Sequence, residues 1–240
     1  MKAIRTIHDQ GLAAPVLALL LASFILTLIV VYRIIVGCQV RHAYLVWNLF
    51  LAWLPLVFAL LATQQFTPGG HWSDRRFLAL AGAWLLFFPN APYIFTDLVH
   101  VLGVWRHGFW TELMLVLLCA LTGFLAGFLS LQLMHGLVVR AWGRWAGWGF
   151  VAAVSGLSAF GVYLGRFLRL NSWNVLTHPL HVVESTGLAA WTVMTQWQHA
   201  KFLILFSLFL LLGYVMLYAI SQTARAGASG PAVRGGIGSP

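Results

Sequence analysis

The chain has 240 residues, of which 61% are hydrophobic and 8% are charged, whereas about 25% of the residues in a typical soluble domain are charged. A soluble protein of this size cannot bury so much apolar surface, because its interior is too small relative to its surface. The composition therefore excludes a soluble enzyme. The formal charge is +9. In a membrane protein, an excess of Lys and Arg usually sets the topology and contacts lipid head groups, so we expect membrane lipids and no nucleic acid as partners.

Six apolar segments are long enough to cross a membrane, which takes about 20 residues. The first follows a basic segment, but it is longer than the apolar part of a cleaved signal peptide, so we expect an uncleaved signal anchor. The sequence therefore predicts an all-α, polytopic membrane protein, a six-transmembrane-helix bundle. In chain order, the six predicted spans are residues 12–36, 44–63, 77–101, 109–135, 145–168 and 202–220.

These spans divide the chain into three regions. A short N-terminal segment covers residues 1–11, the transmembrane domain covers 12–220, and a tail covers 221–240. The tail is rich in Gly, Ala and Ser, and we expect it to be disordered because it has too few large apolar groups to fold. Of the 14 Lys and Arg residues, eight lie on the side of the termini, a weak bias that predicts cytoplasmic termini.

The third span is predicted to be broken by two prolines. Pro89 and Pro92 remove two backbone donors within an apolar run, so the helix must kink or unwind there. Unwound backbone at membrane depth needs protein or a water-filled cavity around it, and discontinuous helices often form binding sites. A simpler alternative is a proline kink in which Asn90 bonds to the freed carbonyls.

Polar residues follow this break. On an α-helix, Tyr93, Asp97 and His100 lie on one face. Asp97 and His100 are candidate catalytic residues, because a carboxylate beside an imidazole can act as a general acid and base. They are equally candidates for metal ligands, with His178 and His181, or for a boundary pair solvated by lipid head groups. No pattern identifies a metal or another cofactor.

A second polar motif ends the fifth span. Arg166 and Arg169 could clamp a phosphate or carboxylate, or both arginines could extend to lipid phosphates. Because spans three and five run parallel, we expect the two motifs to meet at one membrane face. The candidate ligand-binding residues are Asn90, Tyr93, Arg166, Arg169 and Asn171.

Two glycine pairs are predicted to be packing faces. Gly123 and Gly127 lie four residues apart in span four, and Gly161 and Gly165 do so in span five. Such small-residue faces let helices approach closely. The contact is either within the chain or with a second copy or another membrane partner.

Several motifs together resemble a bacterial family of multi-pass membrane proteins, called domain of unknown function 1361. They are residues 48–55, 87–93, 96–100, 127–131 and 163–173, and the resemblance covers roughly residues 45–215. It implies a multi-pass protein of the bacterial plasma (inner) membrane. It implies no reaction, because the family carries no assigned activity.

The sequence leaves three functions open. In the first, a polar site at the outer membrane face binds an anionic ligand such as a lipid or isoprenoid phosphate, with or without catalysis. In the second, the protein is a transporter of a small solute or a proton-coupled transporter, and the broken third helix is its moving part. In the third, it is an assembly or partner subunit that docks through its glycine faces.

Overall fold

The computed structural model describes residues 11–37, 42–66, 74–101, 108–170 and 172–228, with the backbone alone at residues 37, 176 and 224–228. Every regular element in these ranges is helical. The elements are α1 (Ala13–Gly37), α2 (Ala43–Gln65), α3 (Arg75–Phe87), α4 (Asn90–Tyr93), a 3-10 helix (Ile94–Val101), α5 (Phe109–Phe167), α6 (Asn174–Thr177), α7 (Pro179–Thr195) and α8 (Trp197–Ala228).

Helix α5 supplies two of the membrane crossings. Its 59 residues are far more than one crossing needs, and it is interrupted at Gly143, where φ is 85°, a conformation that glycine adopts readily. The chain reverses direction at this glycine. The evidence is that Gly147, after the turn, lies against His135 and Val139, which precede it. The first arm is residues 109–142 and the second arm is residues 144–167. With the four other long apolar stretches, the two arms confirm the predicted six-span, all-α bundle.

The third span consists of three pieces in series. Helix α3 ends at Phe87, a turn contains Phe88 and Pro89, and α4 leads directly into the 3-10 helix. The predicted break at the prolines is confirmed, because Pro89 and Pro92 cannot donate the hydrogen bonds that a continuous α-helix needs. The 3-10 helix ends beside the start of α2, at the end of the bundle that we call the site end.

Two boundaries differ from the sequence prediction. Large apolar side chains at a spacing of three (Leu188, Trp191, Met194 and Trp197) predict a short interfacial helix within residues 187–200. The observed helix, α7, begins earlier, at Pro179, since proline fits the first turn of a helix, and it ends before Gln196, which is extended. Helix α8 continues to Ala228, so the start of the predicted disordered tail is helical; Ala, Arg and Gln in this stretch are good helix formers. Residues 1–10 and 229–240 lie outside the described residues.

A buried ionic network connects three helices at the site end. Glu112, in the first turn of α5, accepts a hydrogen bond from Arg33 Nη2 of α1 at 2.8 Å and contacts His42 Nε2 just before α2. Glu112 and His42 are buried. A carboxylate in the first turn also suits the positive end of the helix dipole. This network holds the beginning of α2 against α1 and α5.

Candidate functional site

The first arm of α5 packs tightly against the broken span through its glycine pair. A Cβ at Gly123 would lie 3.0 Å from the backbone oxygen of Ala91, and one at Gly127 would lie 2.7 Å from the Ala91 Cβ. Both separations are shorter than ordinary van der Waals contact. The glycines therefore let α5 approach the backbone of α4 directly.

The second arm of α5 uses its own glycine pair in the same way. A Cβ at Gly161 would meet the Pro89 ring at 2.6 Å, and one at Gly165 would meet the Tyr93 ring at 3.1 Å. Both glycine pairs therefore pack within this chain, against neighbouring residues of the broken segment. That the protein forms a homo-oligomer or binds a membrane partner stays a prediction. The glycine faces no longer support it, because they are used within the chain.

Two side chains satisfy the backbone that the break frees. Asn90 Nδ2 donates to the carbonyl oxygen of Phe87 at 2.9 Å and to Ser172 Oγ at 3.1 Å. Ser172 Oγ in turn donates to the carbonyl oxygen of Leu86 at 3.1 Å. Both amide hydrogens of Asn90 are used in these bonds. Asn90 therefore seals the kink, as the simpler sequence interpretation expected, and joins it to the segment after α5.

Asp97 is the centre of a polar cluster at the site end. Its Oδ2 accepts a hydrogen bond from Asn48 Nδ2 at 2.9 Å, and its Oδ1 accepts one from Arg166 Nη1 at 3.2 Å. His100 Nε2 lies 3.8 Å from Asp97 Oδ1, because residues three apart are eclipsed on a 3-10 helix. The structure thus brings together the two motifs that the sequence placed on spans three and five.

The cluster exposes its hydrogen-bond donors and covers its carboxylate. The Asp97 side chain is 3% exposed, whereas Arg166 is 20% and His100 is 55% exposed. Arg166 Nη1 also lies 3.3 Å from His100 Nε2; if the arginine donates there, a neutral His100 carries its proton on Nδ1. A molecule that approaches this cluster therefore meets the guanidinium and the imidazole before the carboxylate.

A cavity of about 370 Å³ opens beside this cluster. Its polar wall includes Tyr44, Asn48, Tyr93, Asp97, His100 and Arg166. Its apolar wall includes Trp47, Leu51, Leu86, Leu164, Val175 and Val182. Helix α7 thus contributes to the wall through Val182. Most of the outward side chains of α7, including Leu180, Val183 and Trp191, are exposed, which fits a helix at a membrane surface.

The predicted pair of arginines does not form. Arg166 lines the cavity, but α5 ends at Phe167 and Arg169 follows in a left-handed conformation with φ of 56°. Its side chain is exposed and does not line the cavity. The spacing of three was therefore misleading, because the helix does not continue to the second arginine. Asn171 lies outside the described residues.

Several residues of the site were not among the predicted candidates. Tyr44, Trp47 and Asn48 share the first turns of α2, and Trp173 contacts Trp47 edge to face, with 6.0 Å between the ring centres. From the sequence alone, both tryptophans fit the membrane boundary, where indole rings are enriched. The spacing of Tyr44 and Asn48, one helical turn apart, is the signal that could have indicated a polar face.

The described residues at the site end do not form a recognisable metal centre. Within the ranges that the structure describes, no group of three or more His, Cys, Asp or Glu residues is placed to hold a metal ion. His178 and His181 are exposed near the beginning of α7. Asp97 is committed to Asn48 and Arg166.

The family model described as "Protein of unknown function (DUF1361)" matches residues 47–221. The chain belongs to the DUF1361 family. The matched region includes the broken span, both arms of α5 and α7, and therefore nearly all of the cavity wall; Tyr44 precedes it. No curated protein and no solved structure matches this DUF1361 chain.

Proposed function

We propose that this DUF1361 protein binds an amphiphile with an anionic head group, and that the head group contacts Arg166 and His100. The observation that carries the proposal is the difference in exposure within the cluster. Asp97 is far less exposed than Arg166 and His100, so its main role is to orient the guanidinium through a charge-assisted hydrogen bond. Both contacts of Arg166 use Nη1, and in the described part of the chain Nη2 and Nε make no hydrogen bond.

The size and walls of the cavity favour an amphiphile over a water-soluble anion. A volume of about 370 Å³ is near the lower end of the range of small-molecule sites, roughly 300–1,000 Å³. It accommodates a head group but not a whole lipid. Leu51 and Val182 in the apolar wall suit the first carbons of a chain whose remainder lies in the bilayer.

The packing of the broken span favours binding over transport. A moving half-helix needs space beside it, whereas α4 has glycine contacts from both arms of α5 and its freed carbonyls are satisfied by Asn90 and Ser172. Two packed surfaces and a closed set of hydrogen bonds resist displacement. The broken segment therefore acts as a rigid wall of the site.

The proposed location is the bacterial inner membrane, with cytoplasmic termini and the cavity open to the outer face. A single cysteine replaces exposed His178 at the site end, in a chain without Cys38 and Cys119. The control carries a cysteine at Trp145, an exposed residue just after the turn at Gly143. An impermeant maleimide should label the His178→Cys variant in intact cells and the Trp145→Cys variant only after permeabilisation. The reverse pattern would overturn the orientation.

The binding proposal is tested with radiolabelled dodecyl phosphate and protein in phosphatidylcholine nanodiscs. We expect saturable binding that weakens at least tenfold, about 1.4 kcal/mol, in Arg166→Gln. The matched control is Arg169→Gln, because this arginine lies three residues away but outside the cavity wall, and its dissociation constant should stay within twofold of the wild type. Equal affinity in both variants, or no saturable binding to the wild type, would refute the proposal.

A further inference from the structure

The cavity wall contains neutral hydrogen-bonding groups that an anion alone would not use. Tyr44 and Tyr93 both line the cavity and are half-buried. Within the described ranges, neither hydroxyl group makes a hydrogen bond to the protein. Asn48 lies in the same wall and uses one amide hydrogen on Asp97, which leaves a second donor and a carbonyl acceptor. These groups can both donate and accept.

Aromatic rings stand beside these neutral groups. Trp47 is half exposed and meets Trp173 edge to face, and the Tyr44 ring contacts the His100 ring at 5.8 Å. The C–H face of a sugar ring packs against aromatic rings, while the hydroxyl groups on its edge pair with neutral donors and acceptors. Rings and neutral polar groups side by side therefore suit a polyhydroxyl ligand better than a bare phosphate.

The charge of the cavity wall limits the negative charge of a ligand that the site can bind. Among the described residues that line the cavity, Arg166 is the one guanidinium or ammonium group, and Asp97 already neutralises part of its charge. A diphosphate would place a second phosphate in the cavity without a second permanent cation to compensate it. The neutral polar groups of the wall therefore favour a ligand that has an uncharged group beside a single phosphate.

We infer that the head group bound by this site is a glycosyl phosphate, in which one phosphate contacts Arg166 and His100 and a neutral sugar contacts Tyr44, Tyr93 and Trp47. This inference rests on the proposed function, because it names the substrate class of the same cavity. The sugar and the phosphate fill the cavity, and the lipid chain leaves it along Val182 and Leu51.

The test compares dodecyl phosphate with the dodecyl phosphodiesters of glucose, mannose and N-acetylglucosamine, using protein in phosphatidylcholine nanodiscs. We expect at least one glycosyl probe to bind tenfold or more tightly than dodecyl phosphate. In Tyr44→Phe and Tyr93→Phe, which remove only a hydroxyl group, that advantage should fall below threefold, while the affinity for dodecyl phosphate stays within twofold. Tyr32→Phe is the matched control, because Tyr32 is exposed and outside the cavity wall.

The outcomes separate this inference from the proposal beneath it. If dodecyl phosphate binds through Arg166 and no glycosyl probe exceeds it, the sugar inference is overturned and the anion site stands. If the tyrosine variants weaken all probes equally, the hydroxyl groups act on folding and the inference is again overturned. If no probe binds at all, both fail. A glycosyl advantage that disappears only in the cavity variants supports the inference.

Discussion

Exchanging one methyl group between α4 and α5 should reveal how closely these helices are held. Gly127→Ala places a Cβ 2.7 Å from the Ala91 Cβ, roughly 1 Å less than the optimum separation of two carbons. Both atoms are attached directly to backbone, so no side-chain rotation can relieve the clash. The double variant Gly127→Ala/Ala91→Gly moves the methyl group to the other helix and removes the clash.

The expected free energies follow from this geometry. Overpacking costs about 1–3 kcal/mol, and alanine in a helix gains about 1 kcal/mol over glycine, so Gly127→Ala alone should destabilise by about 0–2 kcal/mol. Ala91→Gly alone loses helix propensity and a buried methyl group, about 1–2 kcal/mol. The double variant should lie close to the wild type, which corresponds to a favourable coupling of about 1–3 kcal/mol.

The assay is SDS-induced unfolding in nonionic micelles, followed by the near-ultraviolet circular dichroism of the tryptophans. Gly136→Ala is the control, because a Cβ at this position of the same arm would meet nothing within 4 Å; it should be neutral or slightly stabilising. Additive effects of Gly127→Ala and Ala91→Gly, within about 0.5 kcal/mol, would show that the two residues are not in close contact and would refute the packing described for the broken span.

Three further changes can be measured by the same unfolding assay. Asp97→Asn should destabilise by about 3 kcal/mol, because it leaves the Arg166 charge without its partner, and adding Arg166→Gln should restore part of the loss; an unchanged midpoint in Asp97→Asn would contradict the ion pair. Ser172→Ala should lower the free energy of unfolding by about 1–3 kcal/mol, since it removes the hydroxyl group that donates to the freed carbonyl oxygen of Leu86. An unchanged stability would show that this hydrogen bond does not stabilise the break. Gly161→Ala should be at least about 1 kcal/mol less stable than Gly156→Ala, whose Cβ would meet nothing within 4 Å; equal stabilities would contradict the close packing of Gly161 against Pro89.

The spans and the break were predictable from the sequence because each depends on neighbouring residues. Apolar runs of about 20 residues identify the crossings, and Pro89 and Pro92 act on the backbone of their own helix. The glycine pairs were also recognised as packing faces. Their partner was not, because the contact of Gly127 with Ala91 depends on how two arms and a broken span pack in three dimensions.

The candidate site was predictable in its location and only partly in its contacts. The meeting of Asp97 with Arg166 followed from parallel spans, and the structure has this contact. The exclusion of Arg169 depends on one residue's left-handed backbone, which no spacing indicates. Asn48 and Ser172 act on residues distant in sequence, so their roles became apparent only when the helices were in place.

Glu112 has a consequence for how related chains should differ from one another. It lies inside the matched region of residues 47–221, whereas its partners Arg33 and His42 precede that region. A carboxylate buried without a cation is costly, so an acidic residue at this position depends on basic groups that lie partly outside the matched region. Relatives that keep an acidic residue where this chain has Glu112 should therefore also keep basic residues before the matched region, near the end of the first helix or the start of the second.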